Sequence, residues 1–186
     1  MEQQADYEKL LLDTYKSMEN TYVLIKEGWY GYVLFTPMWW LLIFLTFAPW
    51  IIWYFFKPKR SAARLLFGVF FVTLISIILD SIGILTGAWY YRYKFAPFTP
   101  EFIPWDITII PVSLLFTLQI KPKANPLIKG VIWGGSAAFI GEPLLEFIGF
   151  YEPVYWRSGY SFWVYILLFL IAYFFSTKIN SFEKLN

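Results

Sequence analysis

Five stretches of this chain run for about 18 to 24 residues with no more than two charges in each, and nothing else in the sequence constrains the fold so strongly. Residues 35–56 and 160–177 hold no charge. Residues 65–88 hold only Asp80, 102–120 only Asp106, and 130–150 only Glu142 and Glu146. At about 1.5 Å rise per residue, a helix of this length crosses a hydrocarbon core of roughly 30 Å. Backbone groups in lipid must be satisfied within the segment, so the spans are expected to be helices. The expected fold class is all-α: an integral membrane bundle of about five transmembrane helices preceded by an amphipathic helix. Composition points the same way, since 15% of the residues are charged against about 25% in a soluble domain. A soluble bundle with buried central helices is the reading this disfavours.

The chain has no cysteine and no histidine. That removes disulfides, thiol nucleophiles, thiolate metal sites, imidazole ligation of haem or di-iron, and any Ser-His pair. Chemistry, if there is any, falls to carboxylates, hydroxyls, aromatics, Lys and Arg. No cofactor, metal or nucleic acid is expected as a partner.

Residues 1–34 form the lead-in. They carry six acidic residues and no early apolar stretch, so a cleaved signal peptide is not expected. Within them, Asp6–Glu27 reads as an amphipathic helix, because Tyr7, Leu11, Tyr15, Met18, Tyr22, Ile25 and Trp29 recur at spacings of three and four. Such a helix lies on the membrane surface or the bundle, or else binds a membrane partner or a second copy of the chain. Residues 35–177 form the membrane domain and 178–186 a short polar tail.

Orientation rests on Lys and Arg. Lys57, Lys59, Arg60, Arg64, Lys121, Lys123, Lys129, Lys178 and Lys184 fall on one side of a five-span arrangement. Lys9, Lys16, Lys26, Arg92, Lys94 and Arg157 fall on the other. The larger set predicts a cytoplasmic C-terminus, an outer N-terminal helix and residence in the cell membrane.

Carboxylates inside spans are costly, at about 2.5–3.5 kcal/mol each near a helix centre. Asp80 and Glu142 lie nine and eight residues before Trp89 and Phe150, taken as outer span ends, and are therefore expected about 12 Å deep. Asp106 and Glu146 are expected about 6 Å deep. All four become candidate site residues that should converge in space, with Glu146 at the outer edge. Glu142 and Glu146 share a helix face. Gly83 and Gly87 leave a close approach beside Asp80, and Gly130, Gly134, Gly135, Ala138 and Gly141 form a small-residue stripe. Pro104, Pro111 and Pro143 break the backbone ladder beside Asp106 and Glu142. Arg92, Lys94 and Arg157 stand in the outer loops as counter-charges. Trp39, Trp40, Trp50, Trp53, Trp89, Trp105 and Trp156 lie near span ends, where an interfacial belt would place them.

Two resemblances follow from the residues. Trp39-Trp40, Pro49-Trp50-Ile51-Ile52-Trp53, Leu79-Asp80-Ser81-Ile82-Gly83, Gly87-Ala88-Trp89-Tyr90, Pro104-Trp105-Asp106, Pro111-Val112 and Glu142-Pro143-Leu144 together resemble a family of small multi-pass membrane proteins of Bacillus- and Clostridium-type bacteria. That resemblance covers nearly the whole chain and implies a topology, with no biochemical activity attached. Asp80, Gly83, Gly87, Trp89 and Tyr91, followed by Pro104-x-Asp106, resemble about 30 residues of the membrane lycopene cyclase domain. There a Pro-x-Glu-Glu motif follows, whereas Ile107 stands here in place of the second acid.

Three functions stay open. The first is a membrane scaffold or partner-binding subunit. The second is a carboxylate-based enzyme acting on a prenyl or other lipid, in which a neutral acid protonates an alkene and aromatic faces stabilise the cation. The third is binding or transport of a proton, metal ion or organic cation. Asp80, Asp106, Glu142 and Glu146 are the catalytic candidates, and Arg92, Arg157, Trp89 and Trp105 the binding candidates.

Overall fold

A computed structural model of the chain describes residues 2–99 and 101–177. The tail 178–186, with Lys178 and Lys184, lies outside the described residues. The fold is all-α, with one two-stranded ribbon. Its elements are α1 (Glu2–Tyr32), α2 (Pro37–Phe56), α3 (Ala62–Leu85), β1 (Trp89–Tyr91), α4 (Ile110–Gln119), α5 (Pro126–Ser136), α6 (Glu142–Ile148), β2 (Tyr151–Pro153) and α7 (Ser158–Thr177). A π-helix at Pro104–Ile109 leads into α4, and a π-turn at Ala137–Gly141 joins α5 to α6.

Four helices are long and apolar enough to cross a membrane: α2, α3, the continuous Pro126–Ile148 unit, and α7. Their ends follow local chemistry. Thr36 caps α2 ahead of Pro37, and Asn125 caps α5 ahead of Pro126. Gly87 and Gly149 supply the left-handed φ of 73° and 87° that turns the chain out of α3 and α6. These turns stop the helices at Leu85 and Ile148, short of Trp89 and Phe150.

The third expected span differs. Instead of one apolar helix over 102–120 there is a six-residue π-helix followed by the ten-residue α4. The cause is visible at its start: Phe102, 1% exposed, is still loop, and its N–H is spent on Asp80. Irregular backbone is tolerated at such depth only where protein surrounds it. Pro111 cannot donate to the Ile107 carbonyl, and the Trp50 indole N–H takes that carbonyl at 3.0 Å instead. α4 is the innermost helix, with Ile110, Leu114, Leu115 and Leu118 all buried.

α7 packs against α3 and α5 through small residues. A Cβ on Gly68 would stand 2.0 Å from Ser176 Oγ, and one on Gly134 3.2 Å from Ile166. So Gly130 and Gly134 of the small-residue stripe serve helix packing. α1 does not lie on the bundle. Its described side chains are exposed as far as Glu27, including Tyr7, Tyr15 and Met18, and only its last turn is tied down, by Trp29 Nε1 donating to the Lys94 carbonyl at 2.9 Å.

Candidate functional site

β1 and β2 pair antiparallel, Trp89 opposite Pro153 and Tyr91 opposite Tyr151, and close one end of the bundle. Strand alternation sends Trp89 and Tyr91 to the same face. Both reach Asp80 on α3: the Trp89 indole N–H and the Tyr91 hydroxyl donate to its Oδ1, each at 2.7 Å. The Phe102 N–H donates to Oδ2 at 3.0 Å. Gly83 makes this geometry feasible. A Cβ there would lie 2.0 Å from the Trp89 ring, so the open face beside Asp80 is filled by an indole from the same chain. Burial and the Asp80 charge push the Tyr91 phenol well above its ordinary pKa, which keeps it a donor.

Asp106 enters from the π-helix. Widened π-turns are frequent at functional sites. Its Oδ1 accepts from the Ser76 hydroxyl at 2.5 Å, one turn before Asp80 on α3, and its carboxyl adjoins that of Asp80. Glu142, first residue of α6, completes the group. Its Oε1 accepts from the Tyr165 hydroxyl at 2.7 Å, and that hydroxyl accepts from the Trp105 indole at 3.0 Å. Gly141 leaves the space for Trp105. Asp80, Asp106 and Glu142 are 5%, 2% and 8% exposed. Asp106 Oδ2 and Glu142 Oε2 are buried without a hydrogen-bond partner.

All three carboxyl groups line one cavity of about 200 Å³, together with Trp89, Tyr91, Trp105, Tyr151, Trp156 and Tyr165. Among the described residues, no Lys or Arg lines it. Its rim includes Leu79, Ile82 and Tyr155, which are 38%, 52% and 59% exposed, so the cavity opens sideways past α3. Asp80 and Glu142 sit five and six residues before their helix ends, about 8–9 Å deep and nearly level. The shallower figure than the expected 12 Å comes from the early ends of α3 and α6.

Other expected residues fall elsewhere. Glu146 is exposed and outside the cavity lining, because the turn from Glu142 to Glu146 carries it past the rim. Arg92 pairs with Glu152 across the ribbon, away from the cavity, and Arg157 is exposed. Lys94 is the cation within electrostatic reach of Asp80, and burial lowers its pKa against the pull of Asp80 and Glu101. The tryptophans are not simply a belt: Trp53 is 4% exposed and bonded to Gln119, while Trp89, Trp105 and Trp156 belong to the cavity. Sequence reasoning missed Ser76, Tyr151, Ser161 and Tyr165, and named Tyr91 only within the resemblance to the cyclase domain. The four-residue spacings Ser76–Asp80 and Ser161–Tyr165 were the available signal. Among the described residues, no group of three acids is gathered closely enough to hold a metal ion. Comparison of the chain with protein-family models, curated proteins and solved structures gives no match.

Proposed function

We propose that this chain is a multi-pass protein of the cell membrane whose acid-and-aromatic cavity receives a small ligand from within the bilayer. One observation carries the reading: carboxyl groups from three separate elements line a single cavity, and two of them keep an oxygen without a partner. Packing glue would be expected to satisfy its own polar atoms, because each orphan costs about 1–3 kcal/mol. Exposed Leu79 and Ile82 at the rim would face lipid chains. Five crossings, with the Pro104–Gln119 segment as a short central one, put Arg60 and Lys121 on the cytoplasmic side together with the C-terminus.

The experiment compares Asp106→Asn and Glu142→Gln with wild type. Each exchange keeps shape while removing the charge and the acid proton. The expected outcome is a protein that melts normally in detergent yet fails to rescue a deletion strain. Full rescue by both variants would overturn the reading. Topology is tested apart from this, by cysteines at Ser61 and Thr99 that should label from opposite sides, Ser61 from the cytoplasm.

A second reading rests on α1. Its apolar stripe is uncovered from Tyr7 to Ile25, which suits a subunit that recruits a membrane partner or a second copy. The two readings are compatible, since α1 and the cavity share no residues. The residues that resemble the membrane lycopene cyclase domain gather at Asp80, but Ile107 gives its carbonyl to Trp50 and does not line the cavity. Chemistry on the ligand is therefore not part of the proposal.

A further inference from the structure

The geometry points to the class of ligand: we infer that the cavity takes a small primary ammonium ion carried on an apolar or aromatic body. This rests on the ligand-cavity reading above and deepens it. Three features of the lining converge on it.

The first is an imbalance of charge. Asp80, Asp106 and Glu142 line the cavity and, among the described residues, no cationic side chain does, Lys94 acting on Asp80 from outside the lining. Arg92 is engaged by Glu152 on the ribbon. An ammonium ion supplies what the lining lacks.

The second is how donors are distributed. Asp80 takes three, from Trp89, Tyr91 and Phe102. Asp106 accepts from Ser76 and Glu142 from Tyr165, with Asp80 and Ser161 as the nearest further polar neighbours, and Oδ2 and Oε2 are buried without a hydrogen-bond partner. The two open oxygens come from different elements, the π-helix and α6. Both residues are more than nine-tenths buried. An –NH3+ group brings three donors on one atom, which is the complement of a lining that offers carboxyl acceptors. Such charge-assisted bonds are about twice as strong as neutral ones.

The third is the ring content. Trp and Tyr rings surround the acids, and their negative faces attract cations within about 6 Å of a ring centre. Volume then limits size. About 200 Å³ is less than the roughly 300–1,000 Å³ of drug-sized pockets. The head group must be small, and any longer tail leaves past Leu79 and Ile82.

The test uses the purified full chain in detergent micelles and three probes of one shape: 2-phenylethylammonium, 2-phenylethanol and propylbenzene. They offer charge with donors, a donor without charge, and neither. Affinity is read by calorimetry. The ammonium should bind about tenfold tighter than either neutral probe, the weight of one charge-assisted hydrogen bond. Asp106→Asn and Glu142→Gln should each remove that preference. Equal binding of the alcohol or the hydrocarbon would overturn the ammonium inference and leave the cavity reading standing. No binding by any of the three would overturn both. The wild-type comparison holds even if a variant fails to fold.

Discussion

The two ends of the bundle are closed in opposite ways. At the end holding Lys57, Arg60, Lys121 and Lys123, closure by hydrogen bonds is local among the described residues apart from one: Asn125 caps α5 two residues on, Lys129 Nζ donates to the Ile120 carbonyl at 2.8 Å, and only Gln119 reaches far, accepting from Trp53 and donating to the Phe56 carbonyl. At the other end the ties span the chain. β1 pairs with β2 some 60 residues away, Trp39 donates to the Phe95 carbonyl at 3.2 Å, and Trp29 to that of Lys94. The acids lie only at this second end. Long-range closure is what holds carboxyls from three elements around one space, and local caps could not do it.

The largest effect should come from undoing that closure. Gly83→Val drives a branched side chain into the Trp89 ring and displaces β1. It should destabilise the protein by about 3 kcal/mol, read as a lower melting temperature in detergent with a change in tryptophan fluorescence. Unchanged melting would mean that Trp89 does not sit against α3.

Next is Asp80→Asn. Asp80 accepts on both oxygens, so an amide NH2 must face one of the three donors and leave it unpaired. The expected loss is about 2 kcal/mol. Glu142→Gln, with one donor to satisfy, should lose less. The reverse order would break the distinction between a saturated acid and an open one.

At the basic end, Asn125→Ala removes the α5 cap and should cost about 1 kcal/mol. Ligand binding should be unaffected, because neither Asn125 nor the residues it caps line the cavity. Smallest of all is Arg92→Gln. Its partner Glu152 raises the Arg92 pKa, but the pair is solvent-exposed. Melting should barely move, and any shift should vanish in high salt.

How much of this was legible in the sequence divides along the same line. The apolar runs and the proline breaks at Pro111 and Pro143 act within a few residues, and both can be read from spacing. Asp80, Asp106 and Glu142 stand out because charge is expensive in an apolar run, so their grouping was legible too. The role of Gly83 was half legible: its small size announced a close approach, but the visitor is Trp89. The ribbon was hidden, since three-residue strands carry almost no periodic signal. Without it, helix ends were set too far out at Trp89 and Phe150, which made Glu146 look sheltered and buried the acids too deeply. Arg92 read as a counter-charge for the same reason, because its partner Glu152 is known only once β1 and β2 are paired.

The claim that these acids surround an open cavity can be tested on a chain without native cysteine. Ala88 and Leu114 are both buried, at 2% and 0% exposure, but Ala88 lines the cavity and Leu114 lies in packed core. Cysteine at each position would be exposed to the small neutral reagent N-ethylmaleimide in intact membranes, and the labelling rate measured. The account predicts that Ala88→Cys reacts much faster than Leu114→Cys, and that 2-phenylethylammonium slows it. Equal inertness of the two thiols would contradict it, and the acids would then be part of a packed core.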